Sequence, residues 1–290
     1  MTKPFLNNYS LKVSDADRSV KFYQELFGMT LVHKRSDSGK TYYTLGLTGP
    51  NSLYQTAHYY NRGGLLELTH EAGANPDNFK VSNGNVEPFR GFGHICFSVS
   101  DLPKVCETLE AQGCQFKKKM SDGRQKNIAF ALDPDGYWIE LIENQGEDGV
   151  SRLNHSMIRV KDKDLSLKFY TEKLGMTLVD ISDHPNAKFT LFFLSFDPEN
   201  VKNTSRALTE GLVELTYNWD TEKEEKFIYY NGNDAQAKGF NYFTVAVKDP
   251  ASYVEKLQSQ GIPLKSQEGS CYFVSDPDDY FIKIVPQAEY

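Results

Sequence analysis

Apolar and polar residues alternate along the first part of the chain, as they do in strands, and then switch to a helical spacing. The strand-like pattern begins at Phe5 and ends before residue 14. Ser14 or Asp15 can cap the helix that follows, and Gly28 is suited to end it. The apolar residues of this helix recur every three or four positions: Val20, Tyr23, Leu26 and Phe27.

Strand-like stretches follow this helix at residues 29–35, 41–47 and 64–70, which completes one strand, one helix and three further strands. The same βαβββ order starts again at residues 91–100. Its helix is predicted over residues 102–113, and three strands follow it. The first half of the chain therefore contains two βαβββ modules.

The second half repeats the first at a constant separation. FYQELFGMTLV begins at Phe22 and FYTEKLGMTLV at Phe169, a separation of 147 (169 − 22), and Glu67 and Glu214 are separated by the same number. An unbroken separation over so many residues indicates duplication. An acidic, glycine-containing linker at residues 143–149 divides the halves. We predict an α+β fold of four βαβββ modules in two tandem domains, residues 1–147 and 148–290.

One substitution distinguishes the last strands of the two halves. Residues 133–141 read DPDGYWIEL and residues 276–284 read DPDDYFIKI, so that Glu140 corresponds to Lys283. Each stretch is a turn followed by an alternating strand, with Glu140 or Lys283 on one face. A carboxylate can bind a metal ion or accept a proton, whereas a charged ammonium group can do neither. The first half therefore keeps a chemical group that the second has lost.

The overall composition indicates which kinds of partner and which cellular compartment to expect. The 290 residues carry a formal net charge of −7 and no basic amino-terminal arm, which argues against a nucleic-acid or membrane partner. The start of the chain lacks the apolar segment of a secretory signal. The four cysteines have no paired spacing and are expected to be free thiols in a reducing compartment, which favours a cytoplasmic location.

Four motifs together resemble the glyoxalase I (lactoylglutathione lyase) family of the vicinal oxygen chelate superfamily, in its tandem two-domain form. They are FYxxxLGMTLV, ELTxNW, RGFGHI and DPDGYWIE. The resemblance covers nearly the whole chain. It implies that modules pair into half-barrel clefts, the second with the third and the first with the fourth.

The resemblance also implies which residues line each cleft. Transferred position by position, it gives one complete metal-binding set: His94, Glu140, His155 and Glu214. The other cleft receives a degenerate set: Asn8, Glu67, Tyr242 and Lys283. Because all the losses fall in one set, we expect one working site and one divalent ion per chain.

Two imidazoles and two carboxylates suit zinc, with nickel and cobalt as alternatives. The implied reaction isomerises the hemithioacetal of glutathione and methylglyoxal to S-lactoylglutathione. It removes a carbon-bound proton next to a carbonyl and passes through a metal-stabilised enediolate. By resemblance, Glu140 is the principal general base and Glu214 the second candidate.

Glutathione carries two carboxylates, so cationic and amide side chains near the metal set are candidate substrate ligands. Arg159 lies four residues after His155, on the same face of the strand and roughly 13 Å along it. The others, by position relative to the motifs, are Arg90, Arg124, Gln125, Lys126 and Asn218.

Simpler interpretations stand beside this one. Taken alone, a histidine such as His94 or His155 is more often a hydrogen-bonded structural residue than a metal ligand. Another superfamily metalloenzyme, such as an iron-dependent dioxygenase with two histidines and one carboxylate, is an alternative, as is a noncatalytic protein that binds a small molecule. We further expect a monomer, and we expect Lys283 to pair with Glu67 in the degenerate cleft.

Overall fold

The structure is a computed structural model that describes residues 3–48, 59–123, 125–144 and 149–287. Its strands and helices follow the predicted order of four modules. The first module comprises β1 (Phe5–Lys12), α1 (Ala16–Phe27), β2 (Met29–Asp37), β3 (Lys40–Leu47) and β4 (Leu65–Glu71). The second comprises β5 (Phe92–Val99), α2 (Leu102–Ala111), β6 (Phe116–Lys118), β7 (Ile128–Leu132) and β8 (Trp138–Glu143).

The second half repeats this order with one added helix. The third module comprises β9 (Arg152–Val160), α3 (Lys163–Lys168), β10 (Thr177–His184), β11 (Phe189–Ser195), α4 (Pro198–Asn203) and β12 (Leu212–Asn218). The fourth comprises β13 (Phe240–Val247), α5 (Pro250–Ser259), β14 (Ser266–Glu268), β15 (Cys271–Ser275) and β16 (Phe281–Pro286). The hydrophobic pattern did not predict α4, a helix without a buried residue.

An aspartate precedes the helix of every module and explains where each helix begins. The side chains of Asp15, Asp101, Asp162 and Asp249 accept hydrogen bonds from backbone N–H groups of the first helical turn. These N–H groups have no partner within the helix, so the cap stabilises each start. Helix α1 ends at Gly28, whose φ of 66° is favourable for glycine.

The strands form two eight-stranded sheets, and each sheet takes one module from each half of the chain. One sheet has the order β10-β11-β12-β9-β5-β8-β7-β6 and the other β14-β15-β16-β13-β1-β4-β3-β2. The modules of the first sheet join where β5 pairs antiparallel with β9, and those of the second where β1 pairs antiparallel with β13. The predicted pairing of the second module with the third, and of the first with the fourth, is confirmed.

The hydrophobic core lies against one face of each sheet. In β8 the core side chain of Ile139 is fully buried, as are the neighbouring core residues Tyr137 and Leu141, whereas Glu140 points to the opposite face. The two sheets share this core, since Phe92 of β5 stacks on Phe240 of β13 with ring centroids 5.1 Å apart. The face opposite the core is free to form a cleft.

Two glycines allow the segments that connect the sheets to pass close to the strands. A Cβ atom on Gly91 would lie 1.9 Å from the carbonyl oxygen of Tyr230, and one on Gly239 would lie 2.0 Å from that of Ser82. These positions exclude any side chain because the obstructing atoms belong to the backbone. No helix in the described part of the chain is long and apolar enough to cross a membrane.

Candidate metal centre and active-site cavity

The four central strands of one sheet each contribute one potential metal ligand to the same face. In sheet order these are Glu214 on β12, His155 on β9, His94 on β5 and Glu140 on β8. One ligand atom from each side chain lies within 4.8 Å of all the others. The four predicted residues, far apart in sequence, are therefore brought together by strand pairing.

The polar atoms of this cluster point at one another. The Nε2 atoms of His94 and His155 are 3.3 Å apart. Oε2 of Glu140 lies 3.3 Å and 3.2 Å from them, respectively. Oε2 of Glu214 lies 3.8 Å from His94 Nε2 and 2.9 Å from His155 Nε2. Two nitrogens and two carboxylate oxygens thus surround a common point.

A hydrogen-bond chain behind His155 sets the orientation of its ring. Oδ1 of Asn154 lies 2.6 Å from Nδ1 of His155. The amide group of Asn154 donates to the carbonyl oxygens of Arg206 (2.7 Å) and Thr209 (2.5 Å), which turns its oxygen toward the imidazole. The imidazole therefore carries its proton on Nδ1 when neutral and keeps Nε2 available as a ligand.

The two glutamates differ in how they are held. Thr216 donates to Oε1 of Glu214 over 3.3 Å, which leaves Oε2 facing the histidines. The Glu140 side chain retains about twice the exposed fraction of Glu214, 11% against 5%, on the side of the cavity. Glu140 is thus the carboxylate more open to a bound molecule.

The pKa values in the cluster follow from burial and charge. Burial would lower the pKa of His155, but its contacts with Glu140 and Glu214 raise it to about 9. Burial would raise the pKa of Glu140, but His94 and His155 lower it well below its usual range. Without a cation, a proton on the His155 imidazole partly compensates the charge of the neighbouring carboxylates.

A divalent cation fits this donor set. The four side chains are buried, and buried carboxylates require a compensating positive charge. The nitrogen and oxygen donors are those that zinc, nickel and cobalt accept, and their convergence leaves a central point for one ion. The cluster therefore meets the chemical requirements of a metal centre.

A cavity of about 470 Å³ opens beside the cluster. Its apolar walls include Phe130, Trp138, Met157, Leu191 and Phe193, and His94, Glu140 and Glu214 lie in its lining. The volume is within the range of small-molecule sites, and mostly apolar walls with a few polar groups are typical of them.

The predicted substrate residues fall into three groups. Arg90, Gln125, Arg159 and Asn218 line the cavity. Lys126 is exposed and donates to the carbonyl oxygen of Ser121 over 2.6 Å, away from the cavity lining. Arg124 lies outside the described residues.

Arg159 is already well bonded within the protein. Its guanidinium donates to the carbonyl oxygens of Gly84 (3.1 Å), Gly91 (3.3 Å) and Phe92 (3.0 Å), and to Oδ1 of Asn85 (2.9 Å). Burial lowers the pKa of this group from its ordinary value, but an arginine remains charged. Arg159 thus presents a fixed positive charge in the cavity wall.

Two polar residues of the cavity wall, Arg206 and His184, are among those not predicted from sequence. Arg206 stacks over the ring of Phe193, 3.8 Å from its centroid, and pairs with Asp180 over 3.0 Å. His184, the last residue of β10, also lines the cavity. Arg206 lies in a short 3₁₀ turn, Arg206–Leu208, before β12, where hydrophobic periodicity carries no information on side-chain direction.

The other sheet carries the degenerate set at the equivalent positions, and one expectation about it is wrong. Glu67 accepts from the hydroxyl groups of Tyr242 (2.5 Å) and Ser10 (3.1 Å), and its second oxygen lies 4.0 Å from Arg35. The structure has no ion pair between Glu67 and Lys283, both of which are described. The expected pairing fails because hydroxyl groups and Arg35 already satisfy the carboxylate.

The hydrogen bonds around Asn8 repeat the pattern found around His155 in the first sheet. The amide of Asn8 donates to Oδ1 of Asn7 over 2.8 Å, and Asn7 donates to the carbonyl oxygens of Tyr59 and Arg62, each over 2.7 Å. Asn7 thus corresponds to Asn154, and Asn8 stands where His155 stands in the first sheet. The supporting asparagine persists although the imidazole is absent.

Comparison with known proteins agrees with this geometry. The sequence profile of the "Glyoxalase/Bleomycin resistance protein/Dioxygenase superfamily" matches residues 6–141 and again residues 152–284. The chain is 43% identical to a lactoylglutathione lyase of Schizosaccharomyces pombe, over 97% of this chain and 96% of the relative. It is 42% identical to a glyoxalase I of Saccharomyces cerevisiae, over 97% and 92% of the two chains.

A solved structure supports the same assignment. The crystal structure of glyoxalase I from Zea mays superposes with a TM-score of 0.74 at 26% identity, covering 98% of this chain and 92% of that one. The double match to the superfamily profile agrees with tandem duplication. The chain belongs to the glyoxalase/bleomycin resistance protein/dioxygenase superfamily and, within it, to the lactoylglutathione lyase (glyoxalase I) family.

Proposed function

We propose that the chain is a metal-dependent glyoxalase I that isomerises the hemithioacetal of glutathione and methylglyoxal to S-lactoylglutathione. The observation that carries the proposal is the convergence of His94, Glu140, His155 and Glu214 beside the cavity. The full-length similarity to curated lactoylglutathione lyases supports the reaction.

Glu140 serves as the general base in this proposal. It removes the proton from the carbon that carries sulfur and returns it to the neighbouring carbon, so that the product is an isomer of the substrate. Its exposure to the cavity favours this role. Glu214, which accepts a hydrogen bond from Thr216, is the second candidate for the proton transfer.

The four clustered residues would hold one divalent ion: zinc, nickel or cobalt. When bound, the ion acts as a Lewis acid that stabilises negative charge on the substrate oxygens while the carbon-bound proton is absent. The fourth protein ligand disfavours the alternative of an iron dioxygenase with two histidines and one carboxylate. A noncatalytic binding protein would not need a base in this position.

The cavity wall provides the anchors for glutathione. We assign Arg90 and Arg159 to its carboxylates, with Gln125 and Asn218 as hydrogen-bonding partners. Arg124 and Lys126 remain predicted substrate ligands. Leu191 and Phe193 provide an apolar surface for the methyl group of the aldehyde.

We also propose that the protein is a cytoplasmic monomer without nucleic-acid or membrane partners. Its two domains comprise residues 1–147 and 148–290. The four cysteines are free thiols, which supports a reducing compartment. Each proposed domain contains one of the two profile matches.

The test compares Glu140→Gln with Glu67→Gln, which changes a buried glutamate of the other sheet. Formation of S-lactoylglutathione is followed by its thioester absorbance, with metal content measured on the same samples. Loss of a general base lowers the rate by about 10² to 10⁴-fold, so Glu140→Gln should lose activity while Glu67→Gln keeps it. Full activity in Glu140→Gln would remove this residue from its proposed role.

A further inference from the structure

The cleft of the second sheet contains a cation that has no anionic partner. Lys283 lies on β16 at the position equivalent to Glu140 and is only 5% exposed. Among the described residues its ammonium makes no hydrogen bond and no ion pair. Most of the side chain is buried, but Lys283 also lines an open cavity, where its ammonium can donate to an acceptor on a bound molecule.

Aromatic rings surround this ammonium without satisfying its donors. Its nitrogen lies 5.3 Å from the ring centroid of Tyr242, 5.7 Å from that of Phe273 and 5.9 Å from that of Tyr42. Such rings stabilise a cation modestly and also restrict where it can move. The ammonium is therefore flanked by aromatic rings and not by an anion.

Lys283 lines an open cavity of about 450 Å³ together with Arg35, Asp37, Glu268, Gly269 and Cys271. Arg35 stacks on the ring of Tyr42 at 3.6 Å, and its charge is offset by Glu67 at 4.0 Å. Glu67 also accepts hydrogen bonds from two hydroxyl groups, so that its neighbours are Arg35 and these hydroxyls and not Lys283.

The charges at the rim restrict the ligand further. Asp37 and Glu268 are exposed at the cavity edge and would repel a doubly charged phosphate. A single carboxylate carries less charge toward these acids than a phosphate and can accept hydrogen bonds from the ammonium. The rim acids also favour a molecule whose outer part is neutral or positive.

We propose that the second cleft is a binding site for a small organic molecule that presents one carboxylate to Lys283. This site is separate from the proposed active site, since its residues belong to the other sheet. Lys283 stands where the first sheet has Glu140, and a lysine at this position favours an anionic ligand over a cation.

The test uses trifluoroacetate as the carboxylate probe and follows its binding to the metal-loaded full chain by fluorine NMR. Three variants accompany the wild type: Lys283→Met, Lys283→Arg and Arg90→Gln. A binding component should weaken at least tenfold in Lys283→Met and persist in Lys283→Arg. It should also persist in Arg90→Gln, which excludes binding in the cavity of the first sheet.

Identical titrations of the wild type and Lys283→Met would overturn the proposal, as would equal binding of uncharged trifluoroethanol at this site. Retained lactoylglutathione lyase activity in Lys283→Met serves as the control for folding. Should that variant fail to fold, crystals of the wild type soaked in trifluoroacetate decide the matter. Carboxylate density at hydrogen-bond distance from the Lys283 nitrogen supports the proposal, and its absence contradicts it.

Discussion

Asn154 allows the metal centre to be perturbed without removing a ligand. Its replacement by alanine breaks the contact with Nδ1 of His155 and the two bonds to backbone carbonyls. Asn7 provides a matched control in the other sheet, since it bonds to two carbonyls and to Asn8 in the same arrangement. Both residues are almost fully buried, with exposed fractions of 0% for Asn154 and 1% for Asn7.

The expected magnitudes separate the two variants. Each replacement removes three hydrogen bonds of about 1 kcal/mol, so both should lower the free energy of unfolding of the metal-free protein by about 3 kcal/mol. Only Asn154→Ala also frees the imidazole to rotate and to move its proton to the other nitrogen. Loss of such a supporting bond weakens metal binding by about 10 to 100-fold, or about 1.4–2.8 kcal/mol.

Zinc affinity is measured by competition with a chromophoric chelator at fixed pH, and stability by urea unfolding of the metal-free variants. Asn154→Ala should bind zinc at least tenfold more weakly than the wild type, and Asn7→Ala should bind it equally well. If both variants lost the same affinity, the effect would come from general destabilisation. The assignment of Asn154 to the orientation of His155 would then be refuted.

Four further predictions concern the substrate, proton release on zinc binding, the pH dependence of stability and the packing. Arg90→Gln should raise KM for the hemithioacetal several-fold, whereas Lys238→Gln at the equivalent place in the other sheet should not; equal KM values would exclude Arg90 as an anchor. Because the His155 pKa is raised to about 9 in the metal-free site, zinc binding near pH 7 should release a proton, which calorimetry in buffers of different ionisation enthalpy detects. The raised His155 pKa also stabilises the metal-free protein. This contribution is fully present below about pH 6.5 and should be lost as the pH rises through about 9. A free energy of unfolding that does not change over this pH range would contradict the prediction. Gly91→Ala should lower the free energy of unfolding more than Gly93→Ala. The new methyl group at position 91 would lie 1.9 Å from a backbone oxygen, whereas at position 93 it would lie 2.2 Å from the flexible end of a methionine side chain.

Much of the fold was predictable because the modules repeat. Alternation and helical spacing predict nearly all the strands and all four module helices, and aspartate caps with glycine stops define their ends. Pairing across the halves came from the family resemblance, since strand periodicity carries no information on which edges meet. The short helix α4 escaped prediction because it buries no apolar face.

The candidate site was predictable to the extent that it lies on strands. Positions on a regular strand have a defined face, so Glu140 and Glu214 could be placed before the structure was known. Arg206 could not be assigned to the cavity because it lies in a short 3₁₀ turn, and His184 could not because it ends the edge strand β10, which has no fully buried residue to define its inner face. The pairing of Lys283 with Glu67 failed because opposite charge was considered without the competing hydroxyl groups of Ser10 and Tyr242.

The central claim is that one sheet binds a single divalent ion and the other binds none. The most direct test is the metal content per chain of the wild type and of His155→Asn, a substitution that reproduces the residue present at position 8. We predict one tightly bound ion per chain in the wild type and almost none in His155→Asn. Two ions per chain in the wild type, or one ion retained by His155→Asn, would contradict the account.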